Sequence, residues 1–166
     1  MTKTLLVKRD DLMTFTSLNG NIDTDKFIQY IAIAQDIHLQ RYLGTELLEK
    51  IQSDIAGSTL SGNYLTLVND WIKPVLIHWA MVEFLPFGTV TISNGGAFRH
   101  NPENGTSLTK DEVDAIVSQE RDLATYYSKR LVDYLCHKNN LFPEYSQNSN
   151  EDVFPTTDNN FCGWVL

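Results

Sequence analysis

Histidines and carboxylates are the side chains best able to do chemistry in this 166-residue chain. The histidines lie on different segments, at His38, His78, His100 and His137. A zinc hydrolase of the H-E-x-x-H type places two histidines and a glutamate on one helical face, and no such run occurs in the sequence. Asp10 and Asp11 are adjacent, so their side chains diverge on any regular element. We therefore expect this pair to cap a short turn rather than to act as an acid and a base.

The motifs of nucleophilic catalysis and phosphate binding are also missing. The sequence contains no G-x-S-x-G elbow, P-loop or G-x-G-x-x-G, and the stretch SNGGAF lacks the lysine or helix start that a phosphate cradle needs. Cys136 and Cys162 are far apart without metal-type spacing, which predicts free thiols in a reducing compartment. A disulfide between them is the less favoured alternative. We expect no enzymatic activity, no cofactor and no metal, and a small unrecognised enzyme remains the least favoured hypothesis.

Composition favours a single acidic domain that does not enter a membrane. With 13 basic and 21 acidic residues, the formal charge is −8, which argues against tight sequence-independent binding to DNA through clustered Lys and Arg. The most apolar stretch, WIKPVLIHWAMVEFLPFG, is interrupted by Lys73, His78 and Glu83 and is too short to cross a bilayer. The N-terminal apolar run is too short for a signal peptide. The chain is expected to be soluble and cytoplasmic.

Two helices are predicted in the first third of the chain. Asp23 is a suitable N-cap for the first, whose apolar residues share one face at helical spacing. These are Phe27, Tyr30, Ile31, Ala34 and Ile37. Gly44 suits the residue after this helix because glycine tolerates positive φ. A second helix is expected from Thr45 to Gly57, with a buried stripe of Leu47, Leu48, Ile51 and Ile55.

A third helical region, from about Tyr64 to Phe84, has almost no polar residues and is expected to be the most buried. Pro74 removes a hydrogen bond and clashes with the preceding turn, which predicts a kink or two helices meeting at Lys73. The residues that follow change character. β-Branched residues and the turn signal NGG predict a small β-hairpin at about 89–100, which needs support from the helices or from another molecule.

A long helix from Lys110 to about Lys138 is the clearest prediction. Thr109 and Glu112 form a capping-box pattern, and Glu120 interrupts the apolar stripe at its middle. The helix would be roughly 40 Å long at 1.5 Å per residue. A helix of this length spans the full width of a compact domain of this size. We therefore expect part of it to project, or to be covered by a neighbouring molecule.

Lys and Arg are absent after Lys138, and residues 139–166 are rich in acidic, Asn, Ser, Thr and Pro residues. We predict an extended acidic C-terminal arm beside a helical domain at 1–138. Its apolar side chains are candidate anchors for another chain: Phe154, Phe161, Trp164, Val165 and Leu166. A frayed terminus is the alternative. The predicted fold is mainly α, a small helical bundle with one long C-terminal helix, a β-hairpin insertion and the extended arm.

Several short motifs resemble one protein family. They are Ala34-Gln35-Asp36-Ile37, Leu43-Gly44-Thr45-Glu46-Leu47, Ile72-Lys73-Pro74-Val75-Leu76, Trp79-Ala80 and Ser93-Asn94-Gly95-Gly96. Over about residues 21–138 the chain resembles the head–tail connector (adaptor) proteins of tailed bacteriophages. The resemblance implies a mainly helical structural virion protein without enzymatic activity. Its copies would form a ring, commonly of twelve, beneath the portal.

The resemblance also implies partners and a location. DNA would pass through the ring without specific binding, and the portal and further neck or tail proteins would contact it, with the chain end reaching onto the portal. The protein would reside in the virion neck, and in the host cytoplasm during assembly. The alternative is a DNA-binding packaging or regulatory protein with a helix-turn-helix between Gln40 and Ile55. Glu46, Glu49 and Asp54 argue against it, because a recognition helix faces phosphates.

Overall fold

The computed structural model describes residues 4–8, 10–11, 24–88, 90–93, 96–99, 108–146 and 153–157, with residues 24–26, 90–93 and 96–99 described by their backbone alone. Most of these residues are helical, which confirms the predicted mainly α class. The Asp23 N-cap lies outside the described residues, and the helix that it would cap begins at Thr24.

The elements follow one another in a mostly helical order. They are α1 (Thr24–Ala34), the π-helical turn π1 (Gln35–Leu39), α2 (Gln40–Leu43), α3 (Thr45–Ala56), α4 (Gly62–Thr66), the π-helical turn π2 (Leu67–Ile72), α5 (Lys73–Phe84), β1 (Val90–Ser93), β2 (Gly96–Arg99), α6 (Lys110–His137), a 3₁₀ turn (Asn139–Leu141) and α7 (Pro143–Ser146). The strands pair antiparallel, with Val90 opposite Arg99 and Ser93 opposite Gly96.

The π2 turn accommodates Pro74 inside a continuous helical run. The Lys73 amide donates to the carbonyl of Val68, five residues back, and Pro74 lies in the first turn of α5. Proline lacks an N–H and crowds the carbonyl four residues earlier. A π turn shifts the backbone hydrogen-bonding pattern by one residue, and here the shift occurs just before the proline. The boundary predicted at Lys73 therefore coincides with the change from π2 to α5.

The π1 turn corrects one sequence prediction, the burial of Ile37. Its side chain is 59 % exposed, whereas Gln35 and Leu39 are fully buried. A π turn inserts one residue into the helical repeat. The inward-facing positions after Ala34 are therefore taken by Gln35 and Leu39, and Ile37 turns toward solvent.

Helix α5 lies at the centre of the core and packs against both α1 and α6. Its buried residues occupy several sides of the helix: Val75, Leu76, Ile77, Ala80, Met81 and Val82. Toward α1, the Phe84 ring meets Phe27 edge-to-face, with ring centroids 4.9 Å apart. A helix that is apolar all round must be covered by its neighbours, and this agrees with the predicted burial.

The capping box predicted for α6 is confirmed. The Glu112 amide donates to the Thr109 hydroxyl, and the Thr109 amide donates to the Glu112 carboxylate over 2.8 Å. The Thr109 backbone hydrogen bond, and then the Thr109 hydroxyl, hold the pKa of Glu112 below its ordinary value. Helix α6 has 28 residues and is about 42 Å long. Its buried side chains lie from Val117 onward, since Val113 and Ile116 are only half-buried.

The helical domain continues beyond the predicted boundary at Lys138. The 3₁₀ turn and α7 carry Phe142, which is fully buried, and Tyr145, which is 5 % exposed. The Tyr64 hydroxyl donates to the Glu144 carboxylate over 2.7 Å, and burial together with that carboxylate raises the tyrosine pKa. Residues 139–146 therefore pack against the helical domain rather than forming part of an extended arm, because Phe142 and Tyr145 are buried in the core.

We expect Thr109→Ala to destabilise the protein by about 1 kcal/mol at neutral pH, since the cap loses its side-chain acceptor. Chemical denaturation would measure the change. Thr125→Ala, at an exposed position on the same helix, is the control and should be neutral or slightly stabilising. The difference should shrink as the pH falls through the lowered folded-state pKa of Glu112, where that carboxylate is protonated. An equal loss in both variants would contradict this account of the cap.

Candidate partner-binding site

Residues 153–157, here called the docked segment, lie across the joint between α2 and α3. The Thr45 amide donates to the Val153 carbonyl over 3.1 Å, and the Thr156 amide donates to the Arg41 carbonyl over 2.9 Å. The first of these bonds satisfies an amide at the N-terminus of α3, which no residue within the helix can pair. The docked segment is therefore fixed to the domain by backbone groups at two points.

Gly44 makes this close approach possible. Its φ of +75° and ψ of 166° lie in a region that is essentially restricted to glycine. A β-carbon at this residue would lie 2.8 Å from Cδ of Pro155 and 3.3 Å from the Val153 carbonyl oxygen. Gly44 thus ends α2, as the sequence predicts, and its lack of a side chain lets the docked segment pack directly against it.

Phe154 projects from the docked segment into solvent. Its side chain is 65 % exposed, although the backbone on either side of it is hydrogen-bonded to the domain. Phe154 is the candidate anchor residue that the structure describes. Phe161, Trp164, Val165 and Leu166 lie outside the described residues. The site therefore presents a large apolar side chain on a backbone whose position is already set.

The π1 turn holds a second peripheral segment. The buried Gln35 accepts from the Leu6 amide through Oε1 and donates to the Thr4 carbonyl through Nε2, both over 3.2 Å. Gln52 also donates to the Thr4 carbonyl. Leu6 and Val7 are buried beside these contacts. A glutamine that is turned inward by π1 therefore ties the segment 4–8 to the core.

Two histidine–glutamate pairs join helices that are far apart in sequence. His38 on π1 lies 2.9 Å from Glu83 on α5, and His78 on α5 lies 2.8 Å from Glu120 on α6. All four side chains are at most one-third exposed. Helical spacing could not predict these pairs, because their members are 45 and 42 residues apart on different elements. The only signal was the charge of Glu120 within the apolar stripe of α6.

Aromatic rings cover both histidines. The His38 ring stacks on Trp79 with centroids 3.8 Å apart, and the His78 ring stacks on Tyr127 at 5.2 Å. The Trp79 indole donates to the Ser128 hydroxyl, which donates in turn to the Ala124 carbonyl. Ser128 thus accepts from Trp79 and donates to the Ala124 carbonyl. These ring contacts and hydrogen bonds link α5 to π1 and to α6.

Among the residues that the structure describes, no three His, Cys, Asp or Glu side chains gather closely enough to hold a metal ion. None of the helices that the structure describes combines the length and the apolar character needed to span a bilayer.

Asp11, predicted to cap a turn, accepts from the Lys8 amide and also pairs with Lys73 over 2.8 Å.

The family model DUF6712, described as a family of unknown function, matches residues 39–155. The chain belongs to this family. The matched range runs from the end of π1 to Pro155, so it includes both partners of the hydrogen bond between Thr45 and Val153 but ends one residue before Thr156. No curated protein and no solved structure matches this DUF6712 chain.

Gly44→Ala should release the docked segment of the DUF6712 protein, because the new methyl group meets Pro155 and the backbone is strained. We expect the Thr45 and Thr156 amides to exchange hydrogen faster, with a stability loss of about 1–3 kcal/mol. Gly62→Ala is the matched control, since Gly62 also has positive φ but nothing within 4 Å of a β-carbon. Unchanged exchange at Thr45 and Thr156 in Gly44→Ala would contradict the docking.

Ser128→Ala should destabilise the domain by roughly 1–3 kcal/mol, since it leaves the Trp79 indole N–H without its acceptor. Thermal or denaturant unfolding would measure the loss. Ser118→Ala, exposed on the same helix, provides the control. In a Trp79→Phe background the Ser128→Ala loss should become smaller. The same loss in both backgrounds would show that the hydrogen bond is not the cause.

Proposed function

We propose that this protein is a structural adaptor of the neck of a tailed bacteriophage, without enzymatic activity. Copies form a ring beneath the portal, of about twelve by the family resemblance, and DNA passes through its centre. The protein acts in the virion neck after assembly in the host cytoplasm. The observation that carries the proposal is the exposed Phe154 on its fixed backbone, which suits an anchor for a neighbouring chain.

The residues that carry the family resemblance support the proposal through their positions. The motif Ile72–Leu76 spans the change from π2 to α5 at the centre of the core, and Trp79 joins α5 to α6. The motif Leu43–Leu47 forms the joint on which the docked segment lies. The resemblance therefore falls on the core and on the arm contact, the two features that an adaptor of this kind needs.

Anchoring through Phe154 is energetically reasonable. Full burial of a phenylalanine side chain contributes about 1.5–3 kcal/mol. A segment that is ordered before binding loses less conformational entropy on association than a free tail. The acidic subunit, with a formal charge of −8, suits a channel in which DNA slides without adhering. The portal and further neck or tail proteins are the proposed partners.

The alternative of a helix-turn-helix between Gln40 and Ile55 is less well supported. In such a protein the N-terminal residues of the second helix contact base edges. Here the start of α3 is occupied by the docked segment through Thr45. Glu49 is exposed on the outer side of α3, and Lys50 is paired with Asp54. A gel-shift assay at low salt separates the two proposals, since tight DNA binding would favour the alternative.

Phe154→Ala should leave the domain folded and weaken its binding to portal particles by about 10- to 100-fold, the loss expected for a buried phenylalanine. Electron microscopy of particles mixed with the protein would give the ring occupancy. Leu65→Ala, another exposed apolar position, is the control. Deletion of residues 161–166 should weaken assembly in the same way. Equal ring occupancy by the truncated and full-length proteins would contradict a role for the arm in assembly.

A further inference from the structure

Three large apolar side chains form an exposed patch beside α1 and π1, here called the isoleucine face. They are Ile33, Ile37 and Phe87, which are 38 %, 59 % and 55 % exposed. Ile33 and Ile37 are four residues apart on one helical run, so they are neighbours on its surface. Phe87 stacks on Tyr30, one turn before Ile33, with ring centroids 6.2 Å apart. The isoleucine face thus has an aliphatic part and an aromatic end.

The docked segment runs toward the isoleucine face. Its Val153 carbonyl is bound at Thr45, whereas its Thr156 amide is bound at Arg41. The segment is therefore antiparallel to the helical run and leads from the start of α3 back toward π1. The two isoleucines come next on that course, about one and two helical turns before Arg41. A chain that continues beyond the docked segment in this direction meets the isoleucine face.

The residues after the docked segment are long enough to cover this surface. They are residues 158–166, here called the tail segment, which lies outside the described residues. At 1.5 Å per residue the two isoleucines lie about 6 and 12 Å from Arg41 along the helical run. At about 3.3 Å per residue, an extended chain can carry Phe161 about 17 Å and Trp164 about 26 Å beyond Thr156. Both aromatic residues can therefore reach the face.

The composition of the tail segment matches the surface along this course. Its second half is apolar, with Phe161 and Trp164 as the largest side chains, and Asp158 is its only charged side chain. Asp158 follows Thr156 by two residues, so its carboxylate is within reach of the exposed Arg41 side chain. Opposite charges thus meet at the start of the course, and apolar side chains meet further along it.

The attachment of the docked segment favours contact within one molecule. The backbone bond at Thr156 leaves only four residues before Phe161. A linker this short gives the tail segment an effective concentration of about millimolar at the face. A tail segment from a second molecule competes only when the protein itself approaches that concentration.

We propose that, in the free protein, the tail segment packs on the isoleucine face of its own molecule. Its apolar side chains are then held on the subunit until another chain takes them. The docking concerns this chain alone and does not depend on the adaptor function. Only the later transfer of the tail segment to another chain rests on that proposed function.

A nitroxide spin label on Cys162 of the full chain tests the docking, with Cys136→Ser removing the other cysteine. In isotope-labelled protein, the amide signals of Ile33 and Ile37 should lose most of their intensity, because the unpaired electron broadens only nearby signals. Reduction with ascorbate should restore them. Tyr64 should keep its intensity, since it begins the continuous helical run that ends near the face and lies about 30 Å from Phe84 along that run.

Two variants of the spin-labelled protein test the face itself. Ile37→Asp places a charge in the isoleucine face and should lower the ratio of docked to free tail about 10-fold or more, so the Ile33 signal recovers. Leu65→Asp, at an exposed apolar position next to Tyr64, is the matched control and should change nothing. Ile33→Asp, read at Ile37, replaces the first variant if circular dichroism shows it to be unfolded. Full intensity at Ile33 and Ile37 in the spin-labelled protein, or equal recovery in the test and control variants, would overturn the docking.

A mixed sample shows which molecule supplies the tail segment. Spin-labelled protein without the isotope is added to isotope-labelled protein without the spin label, so only contacts between copies are detected. The face signals should stay intact in this mixture. Their loss would assign the tail segment to a second copy and overturn docking within one molecule. Portal particles are absent from both samples, so failure of the docking leaves the adaptor proposal in place, and unchanged ring occupancy by Phe154→Ala leaves the docking in place.

Discussion

The rest of the structure depends on one constraint, the covering of a central helix that has almost no polar face. Helix α5 is buried by α1 and π1 on one side and by α6 on the other. One histidine–glutamate pair joins α5 to π1, and the other joins it to α6. Both covering helices turn their buried side chains toward α5, and large apolar side chains stay exposed elsewhere on the described surface, Phe154 among them.

The sequence predicted those structural features that depend on residues close together in the chain. Thr109 and Glu112 make a capping box within three residues, and Gly44 ends a helix by its own conformational freedom. Both could be predicted because the partners are adjacent in the chain. The start of α3 at Thr45 was predicted for the same reason. Phe154 could be identified as a candidate anchor because it is a large apolar residue in an otherwise polar, acidic segment. Nothing in the sequence indicated that this segment contacts Arg41 and Thr45.

The features that the sequence did not predict arise from long-range contacts. The exposure of Ile37 depends on a π turn that inserts a single residue, and helical periodicity alone assumes that no such insertion occurs. The partner of Glu120 is His78, 42 residues earlier in the chain, so spacing on one helix could not find it. Phe142 and Tyr145 were assigned to the arm because their neighbours are polar, whereas tertiary packing buries both.

The central claim is that surface left exposed by one subunit is covered by other chains in an assembled particle. A cryo-electron microscopy map of particles that contain this protein tests the claim most directly. The expected result is a closed ring at the capsid vertex, with the Phe154 side chain against a neighbouring chain. A map in which the protein is absent from the vertex, or in which Phe154 remains in solvent, would contradict it.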